Sequence, residues 1–242
     1  MIRPGQLTFG SNAPDLVVNY SDFDQLSPLP PSKSGEAQAA SAQAAVGQAA
    51  LGTIAQLADY LVNGFWQFEG EAAHHWGSHT ITYNLGNLTA SERNLALSAL
   101  NGWHQVANVT FVSVSSGAGI NFNDNGTMTA STGANWNGAG IMSSATVDIS
   151  SDWIANDGGA QDGYTGTYSY GYQTYIHEIG HALGLGHQGP YNGSATYGVD
   201  NIFSNDTWQY SVMSYFPQND FGGSYDYVST PEIADIAAID TT

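Results

Sequence analysis

The chain has 242 residues, 42% of them hydrophobic and six of them tryptophan, enough to build one large domain or two small ones around a real core. Twenty-one acidic residues against three basic ones (Arg3, Lys33 and Arg93) set the net charge at −18, which excludes binding to nucleic-acid phosphates and disfavours anionic membranes. No apolar run approaches the length of a bilayer span, and the absence of cysteine excludes disulfides, thiolate metal ligands and cysteine nucleophiles.

Residues 1–35 carry Pro28, Pro30 and Pro31 and show no clean period, while 35–52 are rich in Ala, Gln, Ser and Gly and read as a linker or a weak helix. Ile54, Leu57, Leu61 and Phe65 recur at helical spacing, which predicts a helix over 53–66 packed on the main domain. Alternation over 79–84 predicts a strand. Thr89-Ala90-Ser91-Glu92 is a capping box, so a helix follows to about Val106, with Ala96, Leu100, Trp103 and Ala107 on one face. Further strands are predicted over 108–114, 119–122 and, with an interruption, 141–149. Residues 123–140 and 155–170 are rich in Gly and Asn and read as long loops. A helix is predicted over about 173–183, and a last one beginning at Thr230 with Pro231 in its first position. This order gives an α/β (α+β) class, a mixed sheet with helices on its faces.

The helix at 173–183 carries the chemistry. His177-Glu178-Ile179-Gly180-His181-Ala182-Leu183-Gly184-Leu185-Gly186-His187 matches H-E-x-x-H-x-x-G-x-x-H at every fixed position. His177 and His181 lie one turn apart on one helix face. Gly184 supplies a left-handed residue that ends the helix and turns the chain, so that His187 swings in as a third ligand. Three imidazoles with positions left open suit zinc, and Glu178 stands beside the ion without binding it.

Twenty-four residues past His187 comes Ser211-Val212-Met213-Ser214-Tyr215. The extended histidine pattern followed by this methionine segment resembles the metzincin metallopeptidases, and Ser-Val-Met-Ser-Tyr is similar to the serralysin branch. So are Leu183-Gly184-Leu185-Gly186-His187, Tyr191-Asn192, Trp103 to Phe111 and Thr230 to Ile239, a resemblance spanning about residues 50–242. Two positions depart from the branch pattern: Gln188 stands where proline is usual and Pro190 where aspartate is common.

The resemblance implies a metzincin-like fold: a twisted mixed sheet with an active-site helix and a smaller, loop-rich C-terminal subdomain. Residues 51–242 are then a zinc metallopeptidase catalytic domain, and 1–50 an N-terminal extension, a propeptide or a linker, in which Asp15, Asp22 or Asp24 could be held against zinc. The implied activity is that of a secreted zinc-dependent endopeptidase, hydrolysing peptide bonds of proteins through metal-activated water with Glu178 as general base. Met213 is implied as a packing platform, and Tyr215 as an extra zinc ligand that swings away to bond the oxyanion. Ala139-Gly140-Ile141 is a candidate for the edge strand that pairs with substrate. His74 and His75 could touch a metal, but they read first as a surface pair. Zinc is the implied cofactor and calcium a second candidate. The implied partners are protein or peptide substrates, with no nucleic acid, no membrane insertion and a monomeric state. The implied location is extracellular, reached by a C-terminal export signal without a cleavable N-terminal signal peptide; a calcium-repeat region continues the chain in the branch. Latency through a propeptide thiolate is excluded by the absence of cysteine. Two other readings stay open, a zinc-binding module without activity and a hydrolase of non-peptide amides. Glu178 speaks against the first, the methionine segment against the second.

Overall fold

In the computed structural model, which describes residues 15–19, 49–156 and 168–241, seven strands form one mixed sheet. They are β1 (Asp15–Asn19), β2 (His75–Trp76), β3 (Thr80–Asn84), β4 (Thr110–Ser113), β5 (Ile120–Asn123), β6 (Ala130–Asn137) and β7 (Ile141–Ile149). The sheet order is β1-β6-β7-β5-β3-β4, with short β2 lying parallel to the start of β7. β3, β4, β5 and β7 run parallel; β6 is antiparallel to β7, and β1 is antiparallel to β6.

The helices are α1 (Ile54–Asp59), α2 (Phe65–Glu69), α3 (Ala90–Val106), α4 (Ser151–Asn156), α5 (Tyr170–Ala182) and α6 (Ile233–Ile239). A π-helical turn, Tyr60–Gly64, joins α1 to α2, so the helical run predicted over 53–66 extends to Glu69. α3 begins and ends where its capping box and apolar period place it: the Thr89 side chain accepts from Glu92 N and the Glu92 side chain accepts from Thr89 N. Its predicted inner face, Ala96, Leu100, Trp103 and Ala107, is buried. There Trp103 reaches α5, donating its indole N–H to the Ile176 carbonyl at 2.9 Å. α5 also packs on β6 and β7, and α1 packs on α6.

Three sequence expectations need correction. Residues 123–140 contain β6, an eight-residue strand, where a loop was expected. Its inward positions are Ala130, Thr132, Ala134 and Trp136, alternating with Ser131, Gly133 and Asn135. Composition so low in β-branched residues hides the period, and the strand is fixed by pairing with β7 and β1. Residues 155–170 were expected to be a loop; α4 takes the start, and 157–167 lie outside the described residues. The last helix begins at Ile233, because Glu232 and Asp235 form a reciprocal cap three residues downstream of Thr230. Asp22, Asp24 and the stretch 20–48 lie outside the described residues. Beyond α5, residues 184–232 hold no strand and only the single 3₁₀ turn Gln218–Phe221.

Candidate metal centre

α5 starts at Ser169, whose hydroxyl accepts the Tyr172 amide, and brings His177, Glu178 and His181 to its last two turns. It ends in a Schellman motif: Gly184 N–H donates to the His181 carbonyl at 2.9 Å, and Leu185 N–H to the Gly180 carbonyl at 3.0 Å. Gly184 takes φ = +102°, as the turn requires. A side chain there would also run into the His74 carbonyl oxygen, a second constraint that the motif alone does not reveal.

The turn delivers His187. The Nε2 atoms of His181 and His177 lie 3.1 Å apart, and those of His181 and His187 3.0 Å apart. Each imidazole has its Nδ1 against a main-chain carbonyl: His177 on Val212 at 2.8 Å, His181 on Leu185 at 2.8 Å, His187 on Tyr191 at 2.9 Å. A carbonyl only accepts, so each Nδ1 is placed to donate, which leaves the Nε2 of a neutral ring as the nitrogen that can face a metal. Three neutral rings set this way would turn three lone pairs to one point, an arrangement that a cation between them stabilises. Two nitrogens about 2.0–2.1 Å from a shared tetrahedral ion stand about 3.3 Å apart, so the donor set fits zinc. Among the described residues this is the one group of three or more His, Asp and Glu side chains that converges, so the calcium expectation gains no site there.

Glu178, buried and next in sequence to His177, has its Oε2 2.7 Å from the Thr132 hydroxyl on β6. Tyr215 lies beside the triad: its ring centroid is 4.6 Å from that of His187 and 6.1 Å from that of His177. The Gly193 amide donates to its phenol oxygen at 3.3 Å. Met213 is fully buried below the helix; a methyl group on Gly180 would sit 2.5 Å from its Sδ, so the glycine admits the sulfur. The structure thus brings together all three histidines, Glu178, Met213 and Tyr215.

It does not bring Ala139-Gly140-Ile141 to an open edge. Ala139 and Gly140 form the β6–β7 turn, and Ile141 starts β7, flanked by β6 on one side and by β2 on the other. The strand next to Glu178 is β6. His74, expected at the surface, is buried between Trp136 (ring centroids 3.8 Å, stacked) and Trp66 (4.2 Å). Burial pushes its imidazole down to about 4, so it is neutral packing.

Several supports were not visible in the sequence. Leu57 and Leu61, read as packing residues, also supply carbonyls on either side of His187: Leu61 accepts the Gly186 amide at 2.8 Å, and Leu57 accepts Gln188 Nε2 at 3.0 Å. Gln188, where proline is usual in the branch, thereby ties the metal loop to α1. Asp235, on α6, accepts from Ser211 Oγ at 2.6 Å, Val212 N at 2.8 Å and Glu232 N at 2.7 Å. It anchors the methionine segment whose Val212 carbonyl holds His177. Burial lifts its carboxyl to about 6, with the three donors pulling it back down. Asp206, fully buried, accepts the Tyr191 hydroxyl at 2.9 Å; burial raises its carboxyl to about 7 and, with the Asp206 charge, lifts the Tyr191 phenol well above its ordinary value. The only signal for Asp235 was its place in the segment Thr230 to Ile239; carbonyl partners leave no signal at all.

A model of the matrixin family of M10 peptidases matches residues 75–196, half of the chain. Serralysin C of Dickeya chrysanthemi is 48% identical over 79 residues, 31% of this chain and 16% of that protein. Metalloprotease AprA of Pseudomonas entomophila (strain L48) is 36% identical over 163 residues, 61% of this chain and 32% of the relative. Metallopeptidase AprA of Pseudomonas marginalis is 36% identical over 165 residues, 62% and 33% respectively. The chain spans at most about a third of the length of these relatives. It belongs to the matrixin family of peptidases and is serralysin-like in sequence.

Proposed function

We propose that this matrixin-family chain is the catalytic portion of an extracellular, zinc-dependent endopeptidase acting on proteins. The observation that carries the reading is the convergence of the three Nε2 atoms, with the buried Glu178 carboxylate next in the chain to His177. His177, His181 and His187 would hold the ion, with the Tyr215 phenol as a further ligand. Bound zinc supplies a Lewis acid that polarises a carbonyl and acidifies water. Glu178 accepts the proton of the attacking water and passes it to the leaving amine. Tyr215 turns its hydroxyl toward the oxyanion of the tetrahedral intermediate. Met213 gives the histidines a packed floor. The extracellular location and monomeric state rest on the serralysin resemblance.

Substrate pairing belongs to β6 in this proposal, because β6 is the strand that touches Glu178. Its outer edge already carries β1, antiparallel, with Asp15 opposite Asn137 and Asn19 opposite Gly133. That supports reading residues 1–50 as a propeptide whose strand and an extended substrate compete for one edge.

The test is digestion of an unfolded protein by the zinc-loaded chain, with and without a chelator, alongside Glu178→Ala and Tyr215→Phe. Chelation and Glu178→Ala are expected to abolish cleavage, and Tyr215→Phe to lower turnover far more than substrate affinity. Full activity in Glu178→Ala sinks the mechanism. Equal loss of turnover and affinity in Tyr215→Phe removes its transition-state role.

A further inference from the structure

Glu178 is a carboxylate at 2% exposure in a chain almost without cations. Arg93, the only lysine or arginine among the described residues, uses its guanidinium on the Leu85 and Gly86 carbonyls. A buried carboxylate needs donors, and a general base needs one fixed orientation. Thr132 meets both needs. It stands on the inward face of β6 between Ala130 and Ala134, at 1% exposure, and its hydroxyl lies 2.7 Å from Glu178 Oε2 and 2.9 Å from the Glu178 carbonyl oxygen. The hydroxyl has one proton. The carbonyl lies within α5, where the helical hydrogen-bond pattern serves it, and the shorter, charge-assisted bond goes to the carboxylate.

The geometry points to Thr132 as a positioning residue for the general base: its hydroxyl binds one carboxylate oxygen of Glu178 and so fixes the orientation in which the carboxylate meets water. Resting on the peptidase reading, this adds a function for β6 beyond substrate pairing. The rotamer of Thr132 is stiff, because a β-branched residue in a strand has few χ1 choices, so the hydroxyl is a fixed point. The inward face of β6 thereby holds the base, while its outer edge pairs with an extended chain. Strand register and base orientation are coupled through a single residue.

The experiment compares zinc-loaded wild type, Thr132→Val and Thr132→Ser. Valine keeps the volume and removes the hydroxyl; serine restores it. The valine variant is expected to hold a full equivalent of zinc and an unchanged KM, with kcat reduced about tenfold to a hundredfold, the worth of a hydrogen bond to a charged group. Serine is expected to recover kcat to within about threefold of wild type. A crystal structure of the valine variant should show the Glu178 carboxylate displaced from its wild-type rotamer, and one of the serine variant should show it in place. Unchanged kcat in Thr132→Val, a parallel loss of zinc, or a serine variant as slow as valine each overturns the assignment. If wild type itself cleaves nothing, the peptidase reading fails and takes this one with it; if wild type cleaves and valine matches it, only the role of Thr132 fails.

Discussion

Replacing Asp235 should loosen a proposed zinc ligand, His177, that it never touches. Its carboxylate is fully buried and accepts from Ser211 Oγ, Val212 N and Glu232 N. The Val212 carbonyl holds His177 Nδ1 at 2.8 Å, and Ser211 Oγ in turn accepts the Met213 amide at 3.0 Å. Asp235→Ala leaves three donors facing a void, at roughly 1–3 kcal/mol each before relaxation. The hydroxyl can rotate and water can enter, so a net loss of about 3–5 kcal/mol of folding stability is expected. Freeing the Val212 peptide lets the His177 ring turn, which should weaken zinc about tenfold to a hundredfold, as loss of an outer hydrogen bond does. Asp235→Asn separates charge from connectivity. Its oxygen can keep the two amides, and its NH₂ can face Ser211 Oγ, which accepts as readily as it donates. Its cost should be about 1–2 kcal/mol with zinc affinity within about threefold of wild type. Urea unfolding of the metal-free chains gives the first quantity, and competition with a chromophoric chelator gives the second. An alanine variant that folds and binds zinc as tightly as wild type would refute the link from α6 through Val212 to His177. An asparagine variant as damaged as alanine would refute the donor accounting.

Two further outcomes follow from the same structure. Burial holds the Asp206 carboxyl at about 7 in the folded chain against 3.8 without burial, so its contribution to stability is complete below about pH 4 and lost as pH rises through 7. Wild type should therefore lose ground to Asp206→Asn between about pH 4 and pH 7, by at most about 1.4 kcal/mol per unit, and the gap should be constant above that; a urea-midpoint difference that is flat across this range rules the shift out. A chain starting at residue 50 should show a several-fold lower KM and an unchanged kcat, since β1 no longer occupies the edge of β6; equal KM values for the two forms mean that β1 and substrate do not compete.

The elements legible in the sequence are those whose cause is local. α3 is fixed by the Thr89–Glu92 box and an apolar stripe on Trp103. The end of α5 is fixed by Gly184, and with it the return of His187. β6 is hidden in the sequence because Ala, Gly, Ser and Asn outnumber its two strand formers, Thr132 and Trp136; its pairing with β7 and β1 fixes it. His74 looked like a surface residue because nothing local says that Trp66 and Trp136 enclose it. α6 starts at Ile233 because the Glu232–Asp235 pair caps it there, two residues past the Pro231 signal, and the same Asp235 carboxylate also accepts from the distant Ser211 and Val212.

The three converging histidines were legible residue by residue, whereas their orientation was not, because main-chain carbonyls orient them and every residue has one. Each of those carbonyls is fixed separately. Leu185 is held by its amide on Gly180, so the second ligand depends on the helix terminus alone. Val212 is held by Asp235, so the first ligand depends on α6. Tyr191 is held through its hydroxyl on Asp206 and its amide on Gly189, so the third depends on the loop beyond the motif. Gln188 and Gly186 then fasten that loop to the carbonyls of Leu57 and Leu61. Only the Leu185 support lies within the eleven-residue motif. A fragment carrying the motif alone would have all three imidazoles and still lack the preorganised triangle, because its first and third rings would have to be ordered at the expense of binding energy. The affinity of the centre for zinc is therefore a property of the whole domain from α1 to α6.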